Sequence, residues 1–104
     1  MSFNHIPNLN DPSTIPADGI LSRTVHDDNQ VRVVLFAFSD GEELSEHTAS
    51  MPAIIQILHG EADLTLGAES FQAQPGTWIH MPASLPHSVS ARTPLLMLLS
   101  LLKV

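Results

Sequence analysis

Histidine supplies most of the candidate chemistry in this sequence. The chain has 104 residues with six histidines and no cysteine, so a bound metal ion would have to use nitrogen and oxygen ligands. We expect four of the histidines to have surface or structural roles: His5, His26, His59 and His80. The other two, His47 and His87, lie in segments whose glycines and prolines follow a recognisable spacing. They are the candidate site residues.

The charge balance excludes several kinds of partner. Four Lys and Arg residues oppose eleven Asp and Glu residues, which gives a formal net charge of −7, and the four cations are scattered. Such a field repels nucleic acid and anionic membrane surfaces. Acidic residues gather between Asp40 and Glu46, beside Gly41, where we expect a solvated acidic loop.

The sequence favours a cytoplasmic protein. Its first residues lack the basic start and apolar core of a signal peptide, and the absence of cysteine removes the usual sign of an oxidised secreted scaffold. The most apolar run, residues 95–102, is far shorter than the ~20 residues that a membrane-spanning helix needs. We expect this run to be a buried strand.

Turn signals recur every eight to twelve residues and predict an all-β fold, either a sandwich or a barrel. The predicted strands are 20–25, 31–38, 54–58, 64–66, 70–73, 78–81, 88–91 and 95–102. Residues 1–18 contain three prolines and are predicted to form an extended N-terminal arm. The remaining residues, 19–104, are predicted to form one domain.

Two of the predicted strands are apolar at successive positions, at residues 33–38 and 95–102. Both faces of such strands must be covered, yet a barrel covers only the inner face. The second apolar face is therefore expected to be buried by the N-terminal arm or by another subunit, and we predict a homodimer.

Two segments resemble the paired motifs of the cupin family. The segment from Gly41 to Gly60 is similar to the first motif, in which a glycine is followed after five residues by His-x-His, then by Glu and then by Gly. The spacing of Gly76, Pro82 and His87 resembles that of the second motif. The resemblance implies a cupin double-stranded β-helix, a jelly-roll-like barrel similar to the RmlC-like proteins.

The departures from the family pattern bear on function. The resemblance implies metal ligands at the positions of His47, Ala49, Ala53 and His87, so only half of the usual ligand set is present. Ser84 stands where the second motif usually has glycine, and Ala91 where it usually has asparagine.

Strand parity then suggests a pocket, because residues two apart project to one face of a strand. The predicted pocket is mainly apolar, roomy at its centre, and has two imidazoles converging on it. Its predicted lining residues are His47, Ala49, Ala53, Ile55, Ile57, His87, Val89 and Ala91.

Three functions follow as hypotheses. The first is a divalent transition metal (Fe, Mn, Ni, Cu or Zn) held by His47 and His87, with dioxygenase-like chemistry as its enzymatic form. The second is metal-free acid–base catalysis by histidine, as in cupin-like sugar epimerases. The third is a small-molecule-binding module without chemistry. Cupins host many unrelated activities, so the resemblance alone does not choose between the three.

Overall fold

The computed structural model describes residues 2–103, which form two antiparallel β-sheets. The strands are β1 (Ile20–Asp27), β2 (Val31–Phe38), β3 (Glu43–His47), β4 (Ala53–His59), β5 (Ala62–Leu66), β6 (Glu69–Ala73), β7 (Trp78–Met81), β8 (His87–Ala91) and β9 (Leu95–Leu102). The larger sheet has the order β1-β2-β9-β4-β7 and the smaller has the order β3-β8-β5-β6. The predicted all-β barrel architecture is confirmed. Among the described residues, no helix is long and apolar enough to cross a membrane.

The acidic segment was expected to be a loop, and this expectation is wrong. Residues 43–47 form β3, because Glu43 and Leu44 pair with Ser90 and Val89 of β8. The segment has few of the β-branched residues that mark strands, so its strand character comes from this tertiary pairing. β3 is one edge of the smaller sheet.

The core lies between the two sheets. In β4 every second residue is buried, with Ala53 and Ile55 1% exposed and Ile57 2% exposed, which is the period-two pattern of a strand with one face inside. The larger sheet adds Phe38, Leu95 and Met97 to this core, and the smaller sheet adds Leu64, Val89 and Ala91.

A second apolar cluster lies on the outer face of the larger sheet. Its buried residues are Leu35, Ala37 and Leu96, and Leu9 and Ile15 of the arm pack against it. The apolar residues at successive positions of β2 and β9 are thus explained by coverage on both faces. The arm contains one short 3-10 turn, Pro12–Thr14, which the Asp11 side chain caps by accepting from the backbone N–H of Ser13.

Candidate functional site

Antiparallel pairing of β3 and β8 brings the two candidate histidines together. His47, the last residue of β3, lies opposite His87, the first residue of β8. Their ring centres are 4.1 Å apart and the ring planes are inclined by 60°. Two positions forty residues apart in the sequence therefore form one site at one end of the barrel.

A bulge in β3 decides which way His47 faces. Leu44 pairs with Val89 and His47 pairs with His87, so three steps along β3 match two steps along β8. Because side chains alternate between faces, a regular strand would place residue 47 on the face opposite to Leu44. The extra residue restores His47 to the inner face, beside His87.

Backbone carbonyl groups fix the tautomer of each imidazole. Nδ1 of His47 lies 2.8 Å from the carbonyl oxygen of Ser45, and Nδ1 of His87 lies 2.9 Å from that of Leu85. A carbonyl oxygen only accepts hydrogen bonds, so Nδ1 must carry the proton and donate it in both rings. In each neutral imidazole Nε2 is then the atom with a free lone pair. Metal-binding histidines in proteins are commonly oriented by this kind of contact.

The two rings differ in their access to solvent. His87 is 5% exposed and forms part of the barrel wall, whereas His47 is exposed. The pair therefore lies at a mouth of the barrel, where a ligand could reach both rings without crossing the core. We call this end of the barrel the histidine mouth.

Two loops beside the histidine mouth are joined by a backbone hydrogen bond. The N–H of Ser84 donates to the carbonyl of Ala49 over 2.8 Å. Ser84 has a φ of +67°, the left-handed conformation that glycine adopts most easily. It therefore keeps the backbone conformation expected of the glycine that it replaces. Ala49, half-buried, lies in one of these loops and not in a strand, so strand parity does not extend to it.

The other predicted lining residues belong to the packed interior of the barrel. They are Ala53, Ile55 and Ile57 of β4 and Val89 and Ala91 of β8, each at most 3% exposed. Ala53, at the start of β4, follows the loop that contains Ala49. Ala91 is four residues along β8 from His87, about 13 Å away at the usual rise per residue. Of the predicted set, His47 and His87 form the histidine mouth and Ala49 lies in a loop beside it.

In the part of the chain that the structure describes, no carboxylate joins the two histidines. Among residues 2–103 there is no group of three or more His, Cys, Asp or Glu side chains that could hold a metal ion. Glu43 and Glu46 line a separate groove together with serines and threonine of the smaller sheet. There Glu43 accepts a long hydrogen bond, 3.4 Å, from the hydroxyl of Ser90.

Comparison with solved structures places this barrel among known proteins. A conserved protein of unknown function from Streptococcus pyogenes is similar over 100% of this chain and 96% of its own, with 30% identity and a TM-score of 0.83. A cupin superfamily protein from Desulfitobacterium hafniense is similar over 92% of this chain and 90% of its own, with 28% identity and a TM-score of 0.81.

An RmlC-like cupin from Desulfovibrio desulfuricans is similar over 95% of this chain and 98% of its own, with 26% identity and a TM-score of 0.81. No family model matches the sequence, and no curated protein does.

The two packed antiparallel sheets form a double-stranded β-barrel with the pair of histidines at one mouth. The chain belongs to the cupin superfamily, as a small cupin domain. The prediction drawn from the two motif-like segments is confirmed.

Proposed function

We propose that this cupin binds a small anionic molecule at the histidine mouth, together with a divalent transition metal ion held by Nε2 of His47 and Nε2 of His87. The observation that carries the proposal is the pair of adjacent imidazoles whose Nδ1 atoms both donate to backbone carbonyls. Both remaining lone pairs belong to the atom type that histidine most often offers to a metal.

The spacing of the rings supports a shared ion. Two imidazoles that bind one ion through Nε2 at about 2.1 Å, with bonds near a right angle, have ring centres about 4–5 Å apart. The observed separation of the ring centres is 4.1 Å. When bound, the ion would supply a Lewis-acid centre that polarises an oxygen of the ligand.

Because the protein offers the metal ion only two ligands, an anionic molecule is needed to supply further ligand atoms and negative charge. Two neutral imidazoles bring no negative charge to a divalent ion, and among residues 2–103 no third His, Cys, Asp or Glu side chain joins them in a group that could hold one. Transferring an ion to such a site has an electrostatic cost that an anionic ligand can offset. The metal alone should therefore bind weakly, and should bind more tightly when a small carboxylate is present.

The alternative of metal-free acid–base catalysis has less support. A catalytic histidine is usually oriented by a carboxylate, as in hydrolase triads. Here the orienting groups are the carbonyls of Ser45 and Leu85. A dioxygenase-like activity would require the metal site first, so it depends on the primary proposal.

Equilibrium dialysis of tag-free protein against Ni²⁺, with and without malonate, tests the proposal. Bound nickel would be counted by elemental analysis, and native mass spectrometry would show any organic molecule that co-purifies. We expect up to one Ni²⁺ per chain and a lower apparent Kd when malonate is present. His47→Ala and His87→Ala should each weaken nickel binding by more than about tenfold. Loss of a group that only orients a metal ligand already costs about that much, and each variant removes a ligand itself.

His59→Ala is the matched control, because His59 lies at the end of β4 and takes no part in the histidine mouth. Nickel binding that survives both His47→Ala and His87→Ala would contradict the proposal. The proposal would also be contradicted if His59→Ala weakened nickel binding as much as His47→Ala and His87→Ala do.

A further inference from the structure

A cleft lies between the N-terminal arm and the end of the barrel opposite the histidine mouth. It has a volume of about 450 Å³, which is within the usual range for small-molecule sites. One wall is the arm, and the facing wall comes from the turn after β2, the end of β4 and the residue before β9. We call it the basal cleft, and its main lining residues are Pro12, Ile15, Pro16, Asp40, His59 and Pro94.

The basal cleft is separate from the proposed metal site. The N–H of Gly41, in the turn that contains Asp40, donates to the carbonyl of Ala91 over 3.0 Å. Ala91 is the last residue of β8 and His87 is the first, so the length of β8, about 13 Å, lies between this turn and the histidine pair. A small ligand in the basal cleft would therefore not contact the paired imidazoles.

Backbone hydrogen bonds hold both walls of the basal cleft in place. In the arm, the N–H of Ile15 donates to the carbonyl of Pro12 over 3.1 Å and closes the short 3-10 turn. The N–H of Ser39 donates to the carbonyl of Gly19 over 2.9 Å, which ties the chain that follows the arm to the end of β2. A cleft that is already formed loses little conformational entropy when a ligand enters it.

Asp40 gives the basal cleft an uncompensated negative charge. Among residues 2–103, no salt bridge includes the carboxylate of Asp40. The chain has only four Lys and Arg residues, and none of them lines the cleft. Because opposite charges attract, a carboxylate without a cationic neighbour favours a ligand that brings the positive charge with it.

We propose that the basal cleft binds a small organic amine in its protonated form, with a compact aliphatic body. The ammonium group would lie beside the carboxylate of Asp40 and donate charge-assisted hydrogen bonds to it. The aliphatic body would lie between Ile15 and Pro16 of the arm and Pro94 of the barrel, where contact removes hydrocarbon from water. This site does not depend on metal binding at the histidine mouth.

Other classes of ligand fit the basal cleft less well. A divalent metal ion would meet one carboxylate and one imidazole, and among residues 2–103 no group of three or more His, Cys, Asp or Glu side chains could hold such an ion. An anion would be repelled by Asp40 and would find no lysine or arginine in the lining. A neutral hydrocarbon would leave the carboxylate without a partner.

Two-dimensional ¹H–¹⁵N NMR on the full chain, in the presence of a chelator, tests the proposal with cyclohexylammonium as the probe. The probe should shift the amide signals of Ile15, Asp40 and His59 in a saturable way. Methylammonium has the charge without the aliphatic body, and cyclohexanol has the body without the charge. Each of these two compounds should bind about fivefold more weakly than the probe, or more weakly still.

Asp40→Asn should weaken binding of cyclohexylammonium by about fivefold, because it removes the charge and changes little in volume. Asp18→Asn is the matched control, since Asp18 is an exposed carboxylate of the arm that does not line the cleft, and its substitution changes the net charge equally. The same spectra report whether each variant is folded. The absence of saturable shifts at the cleft would overturn the proposal. So would equal losses in the two variants, or binding of cyclohexanol or methylammonium as tight as that of the probe.

Discussion

The turn between β4 and β5 depends on a glycine for two separate reasons, and replacing it should be costly. Gly60 has a φ of +83°, which disfavours any residue with a Cβ. A Cβ added there would also stand 2.0 Å from the backbone carbonyl oxygen of Pro94 and 2.8 Å from Oγ1 of Thr93. The backbone on one side or the other must move to relieve this overlap.

The expected magnitude of Gly60→Ala is the sum of two costs. The left-handed conformation costs about 1–2 kcal/mol for a residue other than glycine. Overpacking against neighbouring atoms typically adds about 1–3 kcal/mol. The free energy of unfolding should thus fall by about 2–5 kcal/mol, a large part of the stability of a small domain.

Gly41→Ala is the matched control because Gly41 has the same φ, +83°, and a Cβ there would meet nothing within 4 Å. This variant should lose only the conformational part, about 1–2 kcal/mol. Urea unfolding followed by circular dichroism at one protein concentration would measure both losses. Equal losses in the two variants would show that the close approach of Pro94 does not determine the requirement for glycine at position 60.

Two further predictions concern stability. The pKa of Asp28 is lowered from 3.8 to about 2, mainly by its hydrogen bond with His26 and then by the backbone N–H groups of Gln30 and Val31. Because the folded-state pKa is the lower one, the stabilisation is present above 3.8 and is lost as the pH falls towards about 2. The difference in urea midpoint between wild type and Asp28→Ala should therefore shrink over that range, and a difference independent of pH would contradict this reasoning. Leu96, 0% exposed, is buried between the larger sheet and the arm, so Leu96→Ala should cost about 2–5 kcal/mol in the intact chain. Deleting residues 2–15 should reduce that cost, because Leu96 would then face solvent. A double-mutant cycle with strictly additive losses would contradict the packing of the arm on Leu96.

Much of the fold could be predicted from the sequence because its signals are local. Turn residues separate runs such as Val31–Phe38 and Leu95–Leu102, and these runs are strands with the predicted ends. The strand Glu43–His47 was missed because polar residues dominate it and its partner, β8, is distant in the sequence. Because β2 and β9 are apolar on both faces, the sequence predicted that the outer face of their sheet would also be covered. The arm covers part of that outer face.

The sequence pointed to the two histidines of the candidate site, but not to the local backbone geometry that brings them together. Motif spacing selected His47 and His87, and the structure places them side by side. The bulge between Leu44 and His47 could not be predicted, because nothing in the local sequence fixes a mismatch of one residue between paired strands. The carbonyls that orient the two rings belong to Ser45 and Leu85, and a backbone acceptor leaves no signature in residue type.

The most direct test of the proposed site is the tautomeric state of the two imidazoles, measured by ¹⁵N-detected long-range NMR on the metal-free protein at mildly alkaline pH. The structure predicts that His47 and His87 both carry their proton on Nδ1, and that Nε2 of both rings shifts together when Zn²⁺ and malonate are added. A proton on Nε2 of either ring, or a response to metal confined to other histidines, would contradict the binding site proposed for this protein.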